Sequence, residues 1–124
     1  MTGELLVERC MRLLGYTNAR GDIDRTRMAA LNKNALVAVN MILADVLPIE
    51  GKDVVEINTL TATLPVNEDT AVRVMPYGVA MMMAQFEGDG DGQQINAAMY
   101  NQKRGSIHRE NETVKDTIPV PELG

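Results

Sequence analysis

One long apolar segment, residues 25–47, places the tightest limit on what this chain can fold into. Its apolar side chains recur at spacings of three and four, which predicts an α-helix. The first line of them shares one face: Met28, Leu31, Ala35, Val39, Ile42 and Val46. A second line, Leu36, Leu43 and Leu47, makes the helix apolar over much of its girth. Such a helix is central in a bundle or contacts neighbouring subunits as well as its own core.

Signals at both ends bound this long helix, and a shorter one precedes it. Asp24 is placed to cap its start, and Pro48 is expected to stop it from running on. Residues 3–14 show helical spacing as well. Thr2 can cap the start of this short helix, and Gly15 can end it.

Two more helical stretches follow in the second half of the chain. Helical spacing returns at Asn67, and Pro76 within it predicts either a kink or a fresh helix start. A last helix is predicted from about residue 91 to residue 104. Its inward-facing side chains are expected to be Ile95, Ala98 and Met99.

The segment between the long helix and Asn67 is β-branched and predicts extended structure. Its alternation of apolar side chains slips near Asn58, which indicates two short extended pieces or a bulged one. The predicted fold is therefore mostly α: a small four-to-five-helix bundle with a short extended or β-hairpin-like insertion around residues 53–64. One helical domain, residues 1–109, precedes a flexible C-terminal tail at residues 110–124, which has few apolar side chains and two prolines.

Composition and charge narrow the class of function. Aromatic residues make up only 3% of the 124 residues, and nine methionines fill space instead, which suits contacts between helices. The net charge of −5 argues against broad binding to a phosphate backbone, which needs a basic face. Residues 1–36 carry six basic and four acidic side chains, whereas the remainder carries six basic and thirteen acidic ones. This asymmetry is compatible with head-to-tail association of identical subunits.

The sequence predicts neither a secreted nor a membrane protein. It shows no signal peptide, no lipidation motif and, on inspection, no apolar run of membrane-spanning length. Its single cysteine, Cys10, cannot form an intramolecular disulfide and is expected to act as a small apolar side chain on the first helix. The predicted place of synthesis is a reducing cytoplasm.

The glycine–aspartate run at residues 87–92 raises the question of a metal or phosphate site. A calcium loop starting at Asp89 would need glycine at its sixth position and glutamate at its twelfth, but Gln94 and Tyr100 stand there. The glycine spacing also differs from phosphate-binding loops, and no lysine follows. The predicted role is a corner between helices, in which Gly88 ends one helix and Asp89 or Asp91 caps the next.

Catalytic motifs are lacking as well. The chain has one histidine, His108, and its motifs match neither zinc-protease nor serine-hydrolase signatures. The sequence therefore predicts a protein that is not an enzyme and needs no cofactor or metal.

Two apolar groups are candidates for contacts with partners. Met81, Met82 and Met83 are consecutive, so they cover most of a helix circumference and one of them must point away from the core. In the tail, Ile118, Val120 and Leu123 are spaced around two prolines that favour an extended backbone. Such a segment can order along a partner during assembly.

The run from Met75 to Arg104, "MPYGVAMMMAQFEGDGDGQQINAAMYNQKR", carries a family resemblance. A Pro-Tyr-Gly helix start, an alanine-rich apolar helix, an acidic Glu-Gly-Asp corner and a closing helix with Met-Tyr-Asn resemble small bacteriophage head–tail connector proteins. The resemblance extends over residues 3–105 and is strongest over residues 76–104. It implies a mostly helical subunit that assembles into a ring beneath the portal and forms part of the channel for DNA.

The function expected from this resemblance is that of a structural phage or prophage protein. Its partners would be further copies of itself, the portal and tail-completion proteins, with DNA only passing through the channel and no membrane involved. It would be made in the bacterial host cytoplasm and carried in the virion. The alternative is a small acidic helical module, regulatory or scaffolding, that holds a partner helix in a methionine-lined groove.

Overall fold

A computed structural model of the protein describes residues 1–108 and consists of helices joined by short links. Among those residues there are five helices and no strand longer than a single bridging residue. The helices are α1 (Gly3–Leu14), α2 (Arg25–Ile49), α3 (Glu68–Arg73), α4 (Met75–Phe86) and α5 (Gly90–Arg104). The predicted mostly α fold of four to five helices is confirmed.

Helix α4 is the central element and packs against all four other helices, whereas α2 packs against α4 and α1. All six residues of the predicted inward line of α2 are buried, as are Leu43 and Leu47. Asp24 caps its start by accepting a hydrogen bond from the Arg27 amide at 3.0 Å. These contacts explain why so apolar a helix needs two apolar lines: it has neighbours on more than one side.

The predicted end of α2 at residue 47 is two residues too early. Pro48 lies inside the last turn, where its missing N–H costs one hydrogen bond without breaking the helix. The Glu50 amide still donates to the Val46 carbonyl at 3.1 Å. The chain turns away only at Gly51, whose φ of 81° is left-handed.

The start of α1 is held by the segment that precedes α3. Thr2 caps the helix as predicted, accepting a hydrogen bond from the Leu5 amide. The free amides of Gly3 and Glu4 donate to the carbonyls of Ala62 and Leu60 at 3.1 and 2.7 Å. The insertion around residues 53–64 is therefore a link with a turn at residues 58–62 that satisfies a helix N-terminus, rather than a hairpin.

Asn40 fastens the first half of that link to α2. Its side-chain amide donates to the Ile57 carbonyl at 3.0 Å, and its side-chain oxygen accepts from the Ile57 amide at 2.9 Å. A second bond runs from the Lys52 amide to the Leu47 carbonyl at 2.9 Å. Residues 52–57 thus run back along α2 between two anchors.

The break between α3 and α4 lies just before Pro76. Pro76 lies in the first turn of α4, so the predicted fresh start is the observed geometry. The carbonyl of Pro76 accepts a hydrogen bond from the Cys10 thiol, and Cys10 is fully buried on α1. Burial raises the pKa of this thiol, which agrees with its predicted role as a small apolar side chain.

The predicted inward face of α5 is wrong. Ile95 is 65% exposed, Ala98 is exposed and Met99 is half-buried, whereas Asn96 and Tyr100 are buried. The physical reason lies on α4, because the ring of Tyr100 packs over Gly78. A Cβ atom at position 78 would approach the Tyr100 ring to 2.7 Å, so only glycine leaves room for it.

The glycine–aspartate run forms the predicted corner. Gly88 is left-handed with a φ of 71°, and the Asp89 carboxylate accepts a hydrogen bond from the Gly92 amide at 2.9 Å. Of the two candidate caps, Asp89 is therefore the one used, and α5 begins at Gly90. Asp91 lies in its first turn.

Replacement of Asp89 by alanine is expected to destabilise the protein by about 1 kcal/mol, the usual cost of losing a helix cap. Asp91→Ala is the matched control, since Asp91 accepts no capping bond, and it should change the melting temperature much less. Thermal unfolding followed by circular dichroism measures both. Added calcium should leave the wild-type melting temperature unchanged, and a calcium-dependent rise would contradict the corner assignment.

Candidate assembly surface

The side of α2 that faces away from the core carries an apolar stripe. Six exposed positions recur at alternating spacings of four and three, which places them on one face of the helix. They are Ala30, Asn34, Val37, Met41, Ala44 and Pro48. Five of the six are apolar, and Val37 and Met41 are 50% and 48% exposed. We call these six residues the outer stripe of α2.

Two valines of the extended link enlarge this surface. Val54 and Val55 are 51% and 48% exposed. They lie between the link's two anchors on α2, at Leu47 and Asn40, and so run beside the part of the helix that carries Met41. The two valines add exposed apolar side chains near the outer stripe, whereas the exposed face of a helix in an isolated monomer usually carries charged side chains.

The second half of α2 is almost free of charge, which makes the stripe more apolar. From Asn34 to Ile49 the only ionisable side chain is that of Asp45. Its carboxylate is hydrogen-bonded to α5, where the Tyr100 hydroxyl and the Arg104 guanidinium both donate to it. The arginine contact is bidentate, at 2.6 and 2.8 Å. This cluster fastens α5 to α2 at the border of the outer stripe, next to Ala44.

The cluster also sets the ionisation of its members. Hydrogen bonding from Arg104 is the main cause that lowers the pKa of Asp45. Burial is the main cause that raises the pKa of Tyr100, and the neighbouring carboxylate adds to it. Tyr100 therefore stays a neutral donor, and Asp45 stays a charged acceptor in the folded protein.

Acid should weaken the fold through Asp45. Because its pKa is lower in the folded chain than in the unfolded one, its contribution is complete above the unfolded value of about 3.9 and is lost as the pH falls through the folded value. Asp45→Asn keeps the size of the side chain and removes the charge. This variant should be less stable than wild type at neutral pH, and the difference should shrink below about pH 4 in denaturant titrations. A constant difference at all pH values would contradict an ionic role.

A second buried carboxylate has a structural role. Glu50 is fully buried at the end of α2, where it accepts two hydrogen bonds from the Asn67 amide at 3.1 and 3.3 Å. The Lys52 ammonium lies 3.2 Å from it and also donates to the Asn67 side chain. This group ties the end of α2 to the start of α3. Its charge is compensated where it lies, so it offers no free site for a ligand.

The three predicted contact methionines are divided between core and surface. Met83 is buried, whereas Met81 and Met82 are half-buried and pack against the edge of the core. As partner contacts, Met81 and Met82 remain predictions. The other predicted contacts, Ile118, Val120 and Leu123, lie outside the described residues, as does the whole predicted tail at 110–124.

By length and composition alone, α2 is apolar enough to cross a membrane, contrary to the expectation that no such run exists. The core helix of a bundle passes the same test, and the inward lines of α2 are buried against the other helices. The apolar outer stripe is what raises its hydropathy beyond that of an ordinary amphipathic helix.

An open groove lies along the first half of α2, on a different face from the outer stripe. It has a volume of about 470 Å³ and is bordered by the start of α1 and by the link. Met28, Ala29, Leu36 and Leu60 provide its apolar lining, and Arg25, Asn32 and Lys33 its polar rim. Within residues 1–108 there is no group of three or more side chains arranged to hold a metal ion.

The outer stripe could have been found from the sequence, although its members were not identified there. The long helix is too apolar for one face, and its two inward lines of side chains do not include all of its apolar residues. A third line at spacings of four and three, through Val37 and Met41, was the available signal.

No protein-family model, no curated protein and no solved structure matches this chain.

Proposed function

We propose that the chain is a non-enzymatic structural subunit of a phage or prophage particle, a head–tail connector that assembles into a ring beneath the portal and lines part of the DNA channel. The motif resemblance over residues 76–104 leads to this family. The helical fold is of the kind that the resemblance implies. The subunit would be made in the bacterial host cytoplasm and end in the virion.

The observation that carries the proposal is the exposed apolar surface on α2. A contiguous apolar surface on a helix marks a contact with another protein more often than it serves an isolated monomer. The outer stripe has the alternating three–four spacing with which one helix packs lengthwise on another. A second copy of the same subunit, approaching along α2, would bury Val37 and Met41 together with the link valines.

Charge supports an arrangement in which unlike surfaces of neighbouring copies meet. The first 36 residues are net basic and the rest of the chain is net acidic. A ring requires such head-to-tail contacts, because each subunit presents a different surface to each neighbour. An acidic chain with no broad basic face is also consistent with DNA passing through a channel without sequence-specific contacts.

The alternative function, a small acidic module that binds a partner helix, is favoured by one observation. The groove beside Met28 is open and largely apolar, and its length runs along α2. Only one methionine lines it, so it matches the expected methionine-lined groove in part. A partner that binds there would leave the outer stripe exposed, which separates the two proposals in mutational tests.

Light scattering coupled to size-exclusion chromatography tests the proposed assembly. The full chain should form a ring, either alone at high concentration or after mixing with a phage portal protein. Monomer alone is compatible with a template-dependent assembly. A strict monomer at every concentration, also with the portal protein present, would contradict the connector role. Portal, capsid and tail genes next to the gene would support it.

A further inference from the structure

The outward face of α1 combines exposed leucines with unpaired arginines. Leu5, Arg9, Arg12 and Leu13 are exposed and lie on one side of the helix. The two leucines are 52% and 41% exposed. Neither arginine forms an ion pair within residues 1–108, although Arg25 nearby is paired with Glu8 at 2.7 Å. We call these four residues the α1 face.

Two open cavities lie beside the α1 face, and both arginines line both of them. The first has a volume of about 440 Å³ and is bordered by Met1, Leu5 and Glu8. The second, of about 260 Å³, is bordered by Leu13, Val72, Pro76 and Tyr77. The second cavity therefore offers an apolar lining beside two positive charges, whereas the first is lined mainly by charged side chains, with Met1 and Leu5 as its apolar part. A segment that carries aliphatic side chains and carboxylates would complement both features.

The last turn of α5 lies close to the second cavity. The ammonium of Lys103, near the end of α5, lies 5.4 Å from the centre of the Tyr77 ring. Tyr77 borders the same cavity as Arg9 and Arg12. Ile107 still packs against the edge of the core. The last turn of α5 thus lies on the side of the molecule where the α1 face is open.

The composition of the residues that follow His108 matches the face. Residues 110–124 contain four carboxylates and one lysine, and four aliphatic side chains: Val114, Ile118, Val120 and Leu123. Pro119 and Pro121 favour an extended backbone, which presents neighbouring side chains to different sides. The 16 residues after residue 108, at roughly 3.3 Å each, give a reach of about 53 Å, enough to cover a helix of 12 residues.

The groove beside Met28 suits this segment less well. Its Arg25 is already paired with Glu8, and the Glu4 carboxylate borders it. Lys33 is then the only cation on its rim without a partner among the described residues. An acidic segment gains more from two unpaired arginines than from one lysine opposed by a carboxylate.

We propose that residues 110–124 dock in cis on the α1 face. Their carboxylates pair with Arg9 and Arg12, and their aliphatic side chains enter the second cavity. Attachment to the same chain gives the segment an effective concentration in the millimolar range, so even a weak contact is populated. The proposal does not depend on the connector role, because it concerns the single chain.

Paramagnetic relaxation in the full chain tests this docking directly. A spin label on Val120→Cys would report on the segment, since Cys10 is buried and hydrogen-bonded and should not react. In a uniformly ¹⁵N-labelled sample, the amides of residues 5–13 should lose most of their intensity, while those around Lys33 keep theirs. A second sample mixes spin-labelled chain that lacks ¹⁵N with ¹⁵N-labelled chain that lacks the spin label. In this mixture the amides of residues 5–13 should keep their intensity.

Charge reversal supplies the control. Arg9→Glu with Arg12→Glu should restore the lost intensity, and Lys33→Glu should not. Salt near 1 M, where the Debye length is about 3 Å, should restore part of it. Unchanged intensities on α1 in the labelled wild-type chain would overturn the proposal. Broadening only in the mixed sample would overturn docking in cis, since the face would then bind the segment of a second copy.

Discussion

Ile42→Asp is expected to leave the chain unfolded. Ile42 is 4% exposed at the centre of α2, and its side chain lies next to the site where Tyr100 packs over Gly78. An unpaired carboxylate there would cost several kcal/mol, against a total stability of about 5–15 kcal/mol for a domain of this size. Circular dichroism of the variant should show little helix and no cooperative melting transition.

Met41→Asp is the matched control, because it places the same charge one residue away. Met41 is 48% exposed on the outer stripe, so its carboxylate stays in water. Its free energy of unfolding should change by no more than about 0.5 kcal/mol, the usual range for surface substitutions. A soluble Ile42→Asp variant with an unchanged melting curve would mean that residue 42 faces solvent and that α2 is rotated from its described position.

The double variant Val37→Asp with Met41→Asp is expected to fold normally and to lose self-association. Both side chains are half exposed in the single chain, but a neighbouring copy on the outer stripe would have to desolvate two new carboxylates. Light scattering in the presence of a portal protein should then report single subunits under conditions in which the proposal expects rings from wild type. The effect should be close to complete, since the two residues lie at the middle of the stripe.

A second double variant separates the outer stripe from the groove beside Met28. Ala29→Asp with Asn32→Asp adds the same charge to exposed positions of α2 that line the groove. Under the connector proposal this variant should still assemble. Loss of assembly in the groove variant together with normal assembly of the stripe variant would place the assembly contact in the groove and contradict the role of the outer stripe.

The helix bounds could be predicted because their signals are local. Thr2 and Asp24 cap the helices that directly follow them, and Gly88 and Asp89 shape a corner from neighbouring residues alone. Pro76 starts α4 for the same reason, since a proline's missing N–H is harmless in a first turn. Pro48 shows the limit of such rules, because a proline near a helix end costs too little to stop it.

The face of α5 could not be predicted because a distant contact decides it. Only a few of its side chains are apolar, and their spacing alone favoured Ile95. The observed face is set by Tyr100, whose ring needs Gly78 on α4 and whose hydroxyl needs Asp45 on α2. No periodicity within α5 contains that information.

The roles of the polar residues within α2 are also decided by distant contacts. In the sequence, Asn40 and Asp45 look like interruptions of an apolar helix. Their partners lie 17 to 59 residues away, at Ile57 on the link and at Tyr100 and Arg104 on α5. The sequence indicated that α2 has too much apolar surface, whereas the fold shows which part of it stays uncovered.

Complementation of a phage that lacks this gene tests the central claim most directly, because it measures particles rather than association in isolation. Wild-type chain and the Ala29→Asp, Asn32→Asp variant supplied in the host should both restore infectious, tailed particles. The Val37→Asp, Met41→Asp variant should give heads without tails in electron micrographs, although the protein is folded and present. Normal tailed particles with that variant would contradict assembly through the outer stripe of α2.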